Sequence, residues 1–153
     1  MDWPMSDTFL MPLEKIQPSQ LYISRAKLGQ VTKCLEPDSH KHLEPIPVKE
    51  LAGEVICTDG HTRGLALFLA GHQEVEVVWE TENLDWEEYA ICVQWCKEEG
   101  IRTIPDLRNR VISHSQYRIL WYDRCRSMQE KLAADRSQKH VTSMAGAERP
   151  ERE

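Results

Sequence analysis

The sequence predicts an α/β fold, with a small mixed sheet, flanking helices and a C-terminal helical extension. Short strand-like runs recur up to about residue 81, separated by Pro and Gly residues that favour turns. Beyond that point the apolar residues follow helical spacing instead. We therefore divide the chain into an α/β domain at 1–81, a helical extension packed on it at 82–135, and a polar tail at 136–153 that we expect to be disordered.

Local patterns predict each element of the α/β domain. The apolar run at 9–16 predicts the first strand, and the Pro-containing loop at 17–20 ends it. Ser24 is a suitable N-cap for a helix at 24–35. The remaining predicted elements are a hairpin with strands at 46–51 and 55–58, a helix at 62–70 that ends at Gly71, and a strand at 75–80.

The second half of the chain predicts three helices. Asp85 is a plausible N-cap for the first of them, and Gly100 is a typical stop signal. Pro105 suits the first turn of the second helix, and Ser115 suits the cap of the third. The three helices are predicted at 84–100, 103–112 and 115–135.

Composition and charge restrict the class of function. The chain has 153 residues, of which 41% are hydrophobic, so it can form a domain with its own core. Residues 1–80, 81–130 and 131–153 carry −5, −2 and +1, so no segment has the basic surface that tight DNA binding usually needs. No signal peptide is evident, and no apolar run approaches the roughly 20 residues of a membrane span. We therefore expect a cytoplasmic protein with no membrane partner.

Cysteine and histidine spacing does not predict a metal site. The five cysteines do not form a disulfide framework, and we expect them to be reduced thiols: Cys34, Cys57, Cys92, Cys96 and Cys125. Cys92 and Cys96 share one helix face without a second pair, which favours core packing over zinc. The pair His40 and His42 has no neighbouring ligand set, so we expect no metal there either.

A cluster of polar residues stands where a predicted strand passes into a predicted helix. It consists of Asp59, Gly60, His61, Thr62 and Arg63. The first N–H groups of a helix are unpaired, and together with the helix dipole they favour an anion. Gly60 lets the backbone approach a ligand closely, and the next three side chains add hydroxyl, imidazole and guanidinium donors. This density of donors predicts a phosphate-binding site.

The role of Asp59 is open at this stage. Asp-Gly is a common turn dipeptide, so one interpretation of Asp59 and its neighbours is an ordinary turn in which the carboxylate only caps the helix. The carboxylate could instead hold His61 or Arg63, orient Mg²⁺, or accept a proton from a substrate. We name Asp59 and His61 as candidate catalytic residues.

The cluster and its flanks resemble the ParB/sulfiredoxin superfamily. Members of that family often carry an Asp-Gly-His-His-Arg or Asp-Gly-His-Thr-Arg box at a strand-to-helix turn, as this chain does at 59–63. The segment "MPLEKIQPSQLYIS" is similar to the family's first strand and loop, and the run from "LEPIPVKELAGEV" to "VEVVWE" is similar to its central elements. The resemblance covers roughly 9–81 and implies a ParB/sulfiredoxin-like sheet. The helical half lies outside it.

The resemblance implies a nucleotide-binding domain. Family members bind ATP, ADP or CTP, usually with Mg²⁺, and the box contacts the phosphates. In this chain the box corresponds to Gly60, His61, Thr62 and Arg63. The family includes partition switches that hydrolyse CTP, sulfiredoxins that phosphorylate a sulfinic acid, and kinases that phosphorylate free serine, so it predicts a ligand class better than a reaction.

Departures from the family pattern narrow the choice. The box lacks the cysteine of sulfiredoxins, and it is not the Gly-Glu-Arg-Arg type of partition proteins, so we reject the first reaction and doubt the second role. The serine kinases are closest in the box. They place a catalytic Glu where this chain has Gln20, whose amide cannot act as a general base. Kinase chemistry would then need Asp59, Glu44 or Glu36 as the base.

Two functional hypotheses follow. The first is a nucleotide-dependent phosphotransferase or hydrolase that acts on a small molecule, with Gln20 and Glu44 close to the substrate or behind the residues that bind it. The second is a non-catalytic regulatory or DNA-associated module in which a nucleotide switches the conformation. Net charge disfavours nucleic acid as the partner.

Overall fold

The computed structural model describes residues 7–36 and 43–147, so the His40 and His42 pair lies outside the described residues. The predicted fold class is confirmed, because a small mixed sheet is flanked by helices and followed by a helical extension. The strands are β1 (Thr8–Pro12), β2 (Ile23–Ser24), β3 (Ile46–Leu51), β4 (Glu54–Cys57), β5 (Glu74–Trp79) and β6 (Val111–Ile112). The helices are α1 (Arg25–Lys33), α2 (His61–Leu69), α3 (Trp86–Glu98), α4 (His114–Tyr117) and α5 (Asp123–Ala147), with 3₁₀ turns at Leu13–Lys15 and Ile104–Asn109 and a π-helical segment at Arg118–Tyr122.

The main sheet has the strand order β1-β5-β3-β4. Strand β5 pairs antiparallel with β1 and parallel with β3, and β3 forms an antiparallel hairpin with β4. The hairpin turns at Ala52 and Gly53, whose φ values of 51° and 81° suit the tight turns that join twisted strands. Since β4 ends directly before the polar cluster, the hairpin carries that cluster to one end of the sheet. The predicted hairpin is confirmed.

The predicted helix at 103–112 is wrong. A 3₁₀ turn closed by a reciprocal capping box of Thr103 and Asp106 replaces its first part. The last part is β6, which pairs in parallel with β2 through the register Ile23 to Val111. This long-range pairing outweighs the local helical pattern. Because the partner strand lies about 90 residues earlier in the chain, nearby residues do not reveal the pairing.

The long C-terminal helix differs from its prediction at both ends. The region begins with α4, and the N-cap of α4 is Ser113 and not Ser115. The Ser113 side chain accepts a hydrogen bond of 3.2 Å from Gln116 N–H. At its other end α5 continues to Ala147, so the structure has a helix over 136–147, where the sequence predicted a disordered tail. No Gly or Pro occurs between residues 123 and 145 to stop the helix. The rest of the predicted tail, 148–153, lies outside the described residues.

One hydrophobic core joins the two halves of the chain. Buried residues of the sheet and α2 lie in the same cluster as buried residues of the helical half. The two halves pack tightly at Gly64, where a Cβ atom would come within 3.1 Å of Ile104 Cγ2. Cys92 and Cys96 belong to this core, as their spacing predicted. Across the described residues, no helix is both long and apolar enough to cross a membrane.

Candidate functional site at the start of helix α2

The polar cluster forms the junction between β4 and α2, as predicted. Gly60 is the N-cap of α2 and has φ 80° and ψ 23°, a left-handed conformation that strongly favours glycine. A Cβ atom at this position would lie only 2.5 Å from Arg63 Nη2. The guanidinium of Arg63 therefore packs directly against the main chain of Gly60, and both backbone and space require glycine there.

The Arg63 guanidinium is unpaired among the residues that the structure describes. Its Nε is buried and has no hydrogen-bond partner. Within 7–36 and 43–147, no hydrogen bond or ion pair of the guanidinium is found, although other arginines such as Arg110 and Arg136 are paired with carboxylates. A buried unsatisfied donor is costly in a folded protein, and an anion bound beside Gly60 would remove that cost.

His61 fastens the loop at 17–20 to the polar cluster. Its Nε2 accepts a hydrogen bond of 2.9 Å from Ser19 N–H, and Ser19 Oγ donates to the Cys57 carbonyl at 2.7 Å. The side chain is buried, and burial lowers the pKa of His61 from 6.5 to about 4, against a smaller opposing effect of Asp59. The ring is thus neutral at pH 7. Since Nε2 accepts, the ring proton lies on Nδ1, which is the atom left to donate to a ligand.

The structure answers part of the question about Asp59. The N-cap of α2 is Gly60, with no side-chain cap, so the interpretation of Asp59 as the helix cap is wrong. Its side chain is exposed at the rim of the site. The main-chain carbonyl of Asp59 accepts a hydrogen bond from the thiol of Cys57, and burial raises the pKa of Cys57 well above its usual range. Cys57 is consequently a protonated core thiol.

A cavity of about 350 Å³, here named the anion cavity, opens in front of the cluster. All five cluster residues line it, and Lys27 contributes a second cation from α1. Lys27 Nζ donates to the Tyr122 hydroxyl and lies 5.3 Å from the ring centroid of Tyr117 and 5.1 Å from that of Tyr122. These aromatic contacts hold the ammonium without neutralising it. The lining thus carries two cations and the single carboxylate of Asp59.

Gln20 separates the anion cavity from a second one. Its Nε2 donates to the Tyr22 carbonyl at 2.8 Å and to the Tyr117 hydroxyl at 3.0 Å, so the amide is fixed in place. Gln20 and His61 line both the anion cavity and an adjoining cavity of about 200 Å³. Gln20 therefore lies next to the polar cluster, and its amide forms part of the lining of both cavities.

The adjoining cavity reaches from the polar cluster into the helical half. Glu88, Trp121 and the thiols of Cys92 and Cys125 line it. The Tyr89 hydroxyl donates to the Thr58 carbonyl at 3.0 Å and ties α3 to the end of β4. Burial is the main cause that raises the pKa of Glu88. No pattern in the sequence around Glu88 indicates this position, because only the packing of α3 on the polar cluster brings Glu88 there.

Glu44 and Glu36 do not accompany the cluster. Glu44 lines a different cavity, of about 420 Å³, together with His72 and Glu74. Glu36 is exposed just after α1 and does not line the anion cavity. Among the residues that the structure describes, no group of three or more His, Cys, Asp or Glu side chains is placed to hold a metal ion. Of the three candidate bases named from the sequence, Asp59 alone lines the anion cavity.

Fold and site together define a small α/β protein with a cationic cavity at the start of a helix. No protein-family model matches the chain, and no curated protein matches it. Solved structures of similar fold include SbnI with C-terminal truncation from Staphylococcus aureus, at 24% identity and a TM-score of 0.43 over 50% of this chain and 32% of that one. Sulfiredoxin from Arabidopsis thaliana is similar at 21% identity and a TM-score of 0.41, over 52% of this chain and 88% of that one.

A third similar structure is protein Atu1540 from Agrobacterium tumefaciens, at 17% identity and a TM-score of 0.40. The match covers 62% of this chain and 49% of Atu1540. This chain thus spans about a third of the SbnI chain and about half of Atu1540. All three likenesses concern the fold alone.

Proposed function

We propose that this protein binds ATP, ADP or CTP, with the phosphates in the anion cavity. The observation that carries the proposal is the buried Nε of Arg63, which lacks a partner among the described residues and belongs to a side chain that lines the anion cavity. A phosphate oxygen would satisfy this donor, and guanidinium geometry suits phosphate. The sequence resemblance to the ParB/sulfiredoxin superfamily supports a nucleotide as the source of that phosphate.

The surroundings of Arg63 favour the same ligand. The first main-chain N–H groups of α2 follow Gly60 with no side-chain cap, so they are free to bind an anion at the positive end of the helix. Lys27 adds a second cation, from α1, to the lining of the same cavity. Asp59 is the carboxylate available for Mg²⁺, which typically uses one or two carboxylates besides phosphate oxygens and water.

The catalytic part of the proposal is phosphoryl transfer to a small molecule or to water. A bound nucleotide would supply the phosphoryl group, and the adjoining cavity would hold the acceptor, because the two cavities share Gln20 and His61 as lining residues. Gln20 is an amide and His61 uses Nε2 as an acceptor from Ser19, so neither serves readily as the base. We assign proton transfer to Asp59, which lines the anion cavity, or to Glu88, which lines the adjoining cavity.

The second candidate function is a nucleotide-switched module without catalysis. The observation that favours it is the fixed amide of Gln20 at the position where the related kinases carry their catalytic Glu. In that case the nucleotide would bind with its phosphates in the same anion cavity. Its binding would alter the contacts between the sheet and the helical half. A regulatory or DNA-associated partner would then act on the helices.

Calorimetry with ATP, ADP and CTP in the presence of Mg²⁺ tests the binding proposal. We expect wild type to bind at least one of them, and Arg63→Gln and Lys27→Met each to weaken binding about tenfold or more, equivalent to about 1.4 kcal/mol. Lys33→Met is the matched control, because Lys33 is exposed on the same helix as Lys27 and does not line the cavity. No binding by wild type, or equal binding by all variants, would reject the proposal.

Turnover separates the two candidate functions. Wild type that releases or transfers the terminal phosphate supports the phosphotransferase or hydrolase. Asp59→Asn or Glu88→Gln should then abolish this turnover while nucleotide binding is retained. Binding without turnover, together with salt-sensitive retention on DNA, supports the regulatory module.

A further inference from the structure

Helices α3 and α5 pack side by side in a regular register. The Glu88 carboxylate accepts a hydrogen bond of 2.9 Å from Gln129 Nε2. At the other end of the contact, the Trp95 ring meets Trp121 edge-on at 6.3 Å, and the Arg124 guanidinium lies 4.2 Å from the Trp95 ring centroid. Along these contacts, residue numbers rise on α3 while they fall from α5 back into the π-helical segment, so the two helices run antiparallel. One contact lies on each side of a central position, Glu88 with Gln129 on one side and Trp95 with Trp121 on the other.

Two cysteines occupy that central position. Cys92 lies on α3 between Glu88 and Trp95, and Cys125 lies on α5 between Trp121 and Gln129. Both side chains line the adjoining cavity, and the register that pairs Glu88 with Gln129 and Trp95 with Trp121 places Cys92 opposite Cys125. Cys92 is buried, whereas Cys125 is half-buried. The flanking contacts therefore hold the two cysteines beside each other at one cavity, and Cys125 is the more exposed of the two.

We propose that Cys125 and Cys92 are a redox-active dithiol, which a hydroperoxide converts into a disulfide between α3 and α5. The Cys125 thiolate attacks the outer oxygen of the hydroperoxide, breaks its O–O bond, and releases an alcohol, or water from hydrogen peroxide. Cys125 thereby becomes a sulfenic acid. The Cys92 sulfur then attacks the Cys125 sulfur, its proton leaves with the hydroxyl group as water, and the S–S bond forms. Two thiols are oxidised and one peroxide is reduced.

The surroundings assign different roles to the two sulfurs. The hydrogen bond from Cys92 lowers the pKa of Cys125, assisted by Arg124 and opposed by burial and by Glu88. The same hydrogen bond and burial raise the pKa of Cys92. Cys125 is also the more exposed of the two cysteines, so it is the sulfur that reacts first, and the buried Cys92 is the one that resolves the sulfenic acid.

The proposal does not depend on the anion cavity. A disulfide at this position would join the two helices across the adjoining cavity and fix the wall that they form there. Cys34 provides an internal comparison, because it lies after α1 and its thiol donates to the Gln30 carbonyl at 3.6 Å, away from this pair.

Intact-mass and peptide analysis of the reduced protein after treatment with hydrogen peroxide tests the proposal. We expect the loss of two hydrogen atoms, the loss of two of the five free thiols, and one linked peptide pair containing Cys92 and Cys125, all reversed by a dithiol reductant. Cys34→Ser should oxidise as wild type does, and Cys125→Ser should form no bridge. In Cys92→Ser, Cys125 should accumulate as a sulfenic acid that dimedone traps.

Two results would overturn the proposal. One is a wild-type protein that keeps all five thiols or links other cysteines under these conditions. The other is Cys92→Ser without a dimedone adduct at Cys125. The second result is decisive even where Cys125→Ser fails to fold, since it leaves the reactive cysteine in place.

Discussion

At the scale of single residues, the absence of a side chain at Gly60 fixes where the Arg63 guanidinium lies. In Gly60→Ala the left-handed φ of 80° costs about 1 kcal/mol of stability, and the new Cβ displaces the Arg63 guanidinium that lies 2.5 Å away. Gly53→Ala is the matched control, because Gly53 has φ 81° and nothing within 4 Å of its Cβ position. We expect similar losses in urea unfolding for both variants but loss of nucleotide affinity in Gly60→Ala alone. Equal affinities would show that the Gly60 contact does not position Arg63.

His61 gives the protein a predictable dependence on pH. Its pKa is about 4 in the folded protein and 6.5 in the reference state. Between these values the unfolded chain binds more protons than the folded chain, so stability falls as the pH falls through this window, by up to about 3 kcal/mol. His61→Gln keeps an acceptor for Ser19 N–H and should remove this part of the dependence. The comparison is urea unfolding of wild type and His61→Gln between pH 4 and 7, with His72→Gln as the matched substitution of an exposed histidine.

The sequence predicted those residues whose role depends on near neighbours. Ser24 and Asp85 cap their helices as predicted, since each accepts a hydrogen bond from an N–H three residues on. Gly60 was predicted for the same reason, because a turn before a helix is a local signal. Lys27 and Glu88 were missed, since they reach the two cavities only through the packing of α1 and α3 around the polar cluster.

At the scale of elements, local signals were sufficient where no distant partner competes. The hairpin and α2 have turn residues and apolar spacing that agree with each other, and they form as predicted. The π-helical segment at Arg118–Tyr122 has no such signal. It nevertheless sets the direction of Trp121 towards the adjoining cavity and of Tyr122 towards Lys27. Such segments are frequent at functional sites, and their residues are the ones that sequence patterns describe least well.

The last turns of α5 depend on one arginine. The Arg136 guanidinium binds the Asp85 carboxylate at 2.8 and 3.0 Å and the Glu87 carboxylate at 2.7 Å, at the start of α3. These pairs are exposed, so Arg136→Gln should change the free energy of global unfolding little. It should instead lower the hydrogen-exchange protection of the amides at 136–147. Lys131→Gln removes a cation from the same helix and should leave that protection unchanged. Equal protection in both variants would contradict the anchoring role.

At the scale of the whole molecule, the predicted boundary between residues 81 and 82 crosses a shared core. Helical-half residues such as Ile104 and Leu107 are fully buried in the same cluster as Leu13 and Ile46. The boundary was placed where the apolar residues change from strand-like to helical spacing. That change reflects the type of secondary structure, and it carries no information about which surfaces pack together. The polar cluster was predicted from one segment, whereas the two cavities around it are properties of the assembled halves.

A shared core implies that the two halves unfold together. Ile104 packs against Gly64 of α2, so Ile104→Ala should cost about 2–5 kcal/mol and lower the protection of slowly exchanging amides in β3 as much as in α3. Ile119→Ala makes the same change at a side chain that is 63% exposed and should alter neither. Hydrogen exchange in low concentrations of urea distinguishes the cases. Loss of protection limited to residues after 82 would show that the sheet is stable by itself. Loss in both halves would mean that the anion cavity exists only while the helical half is folded onto the sheet.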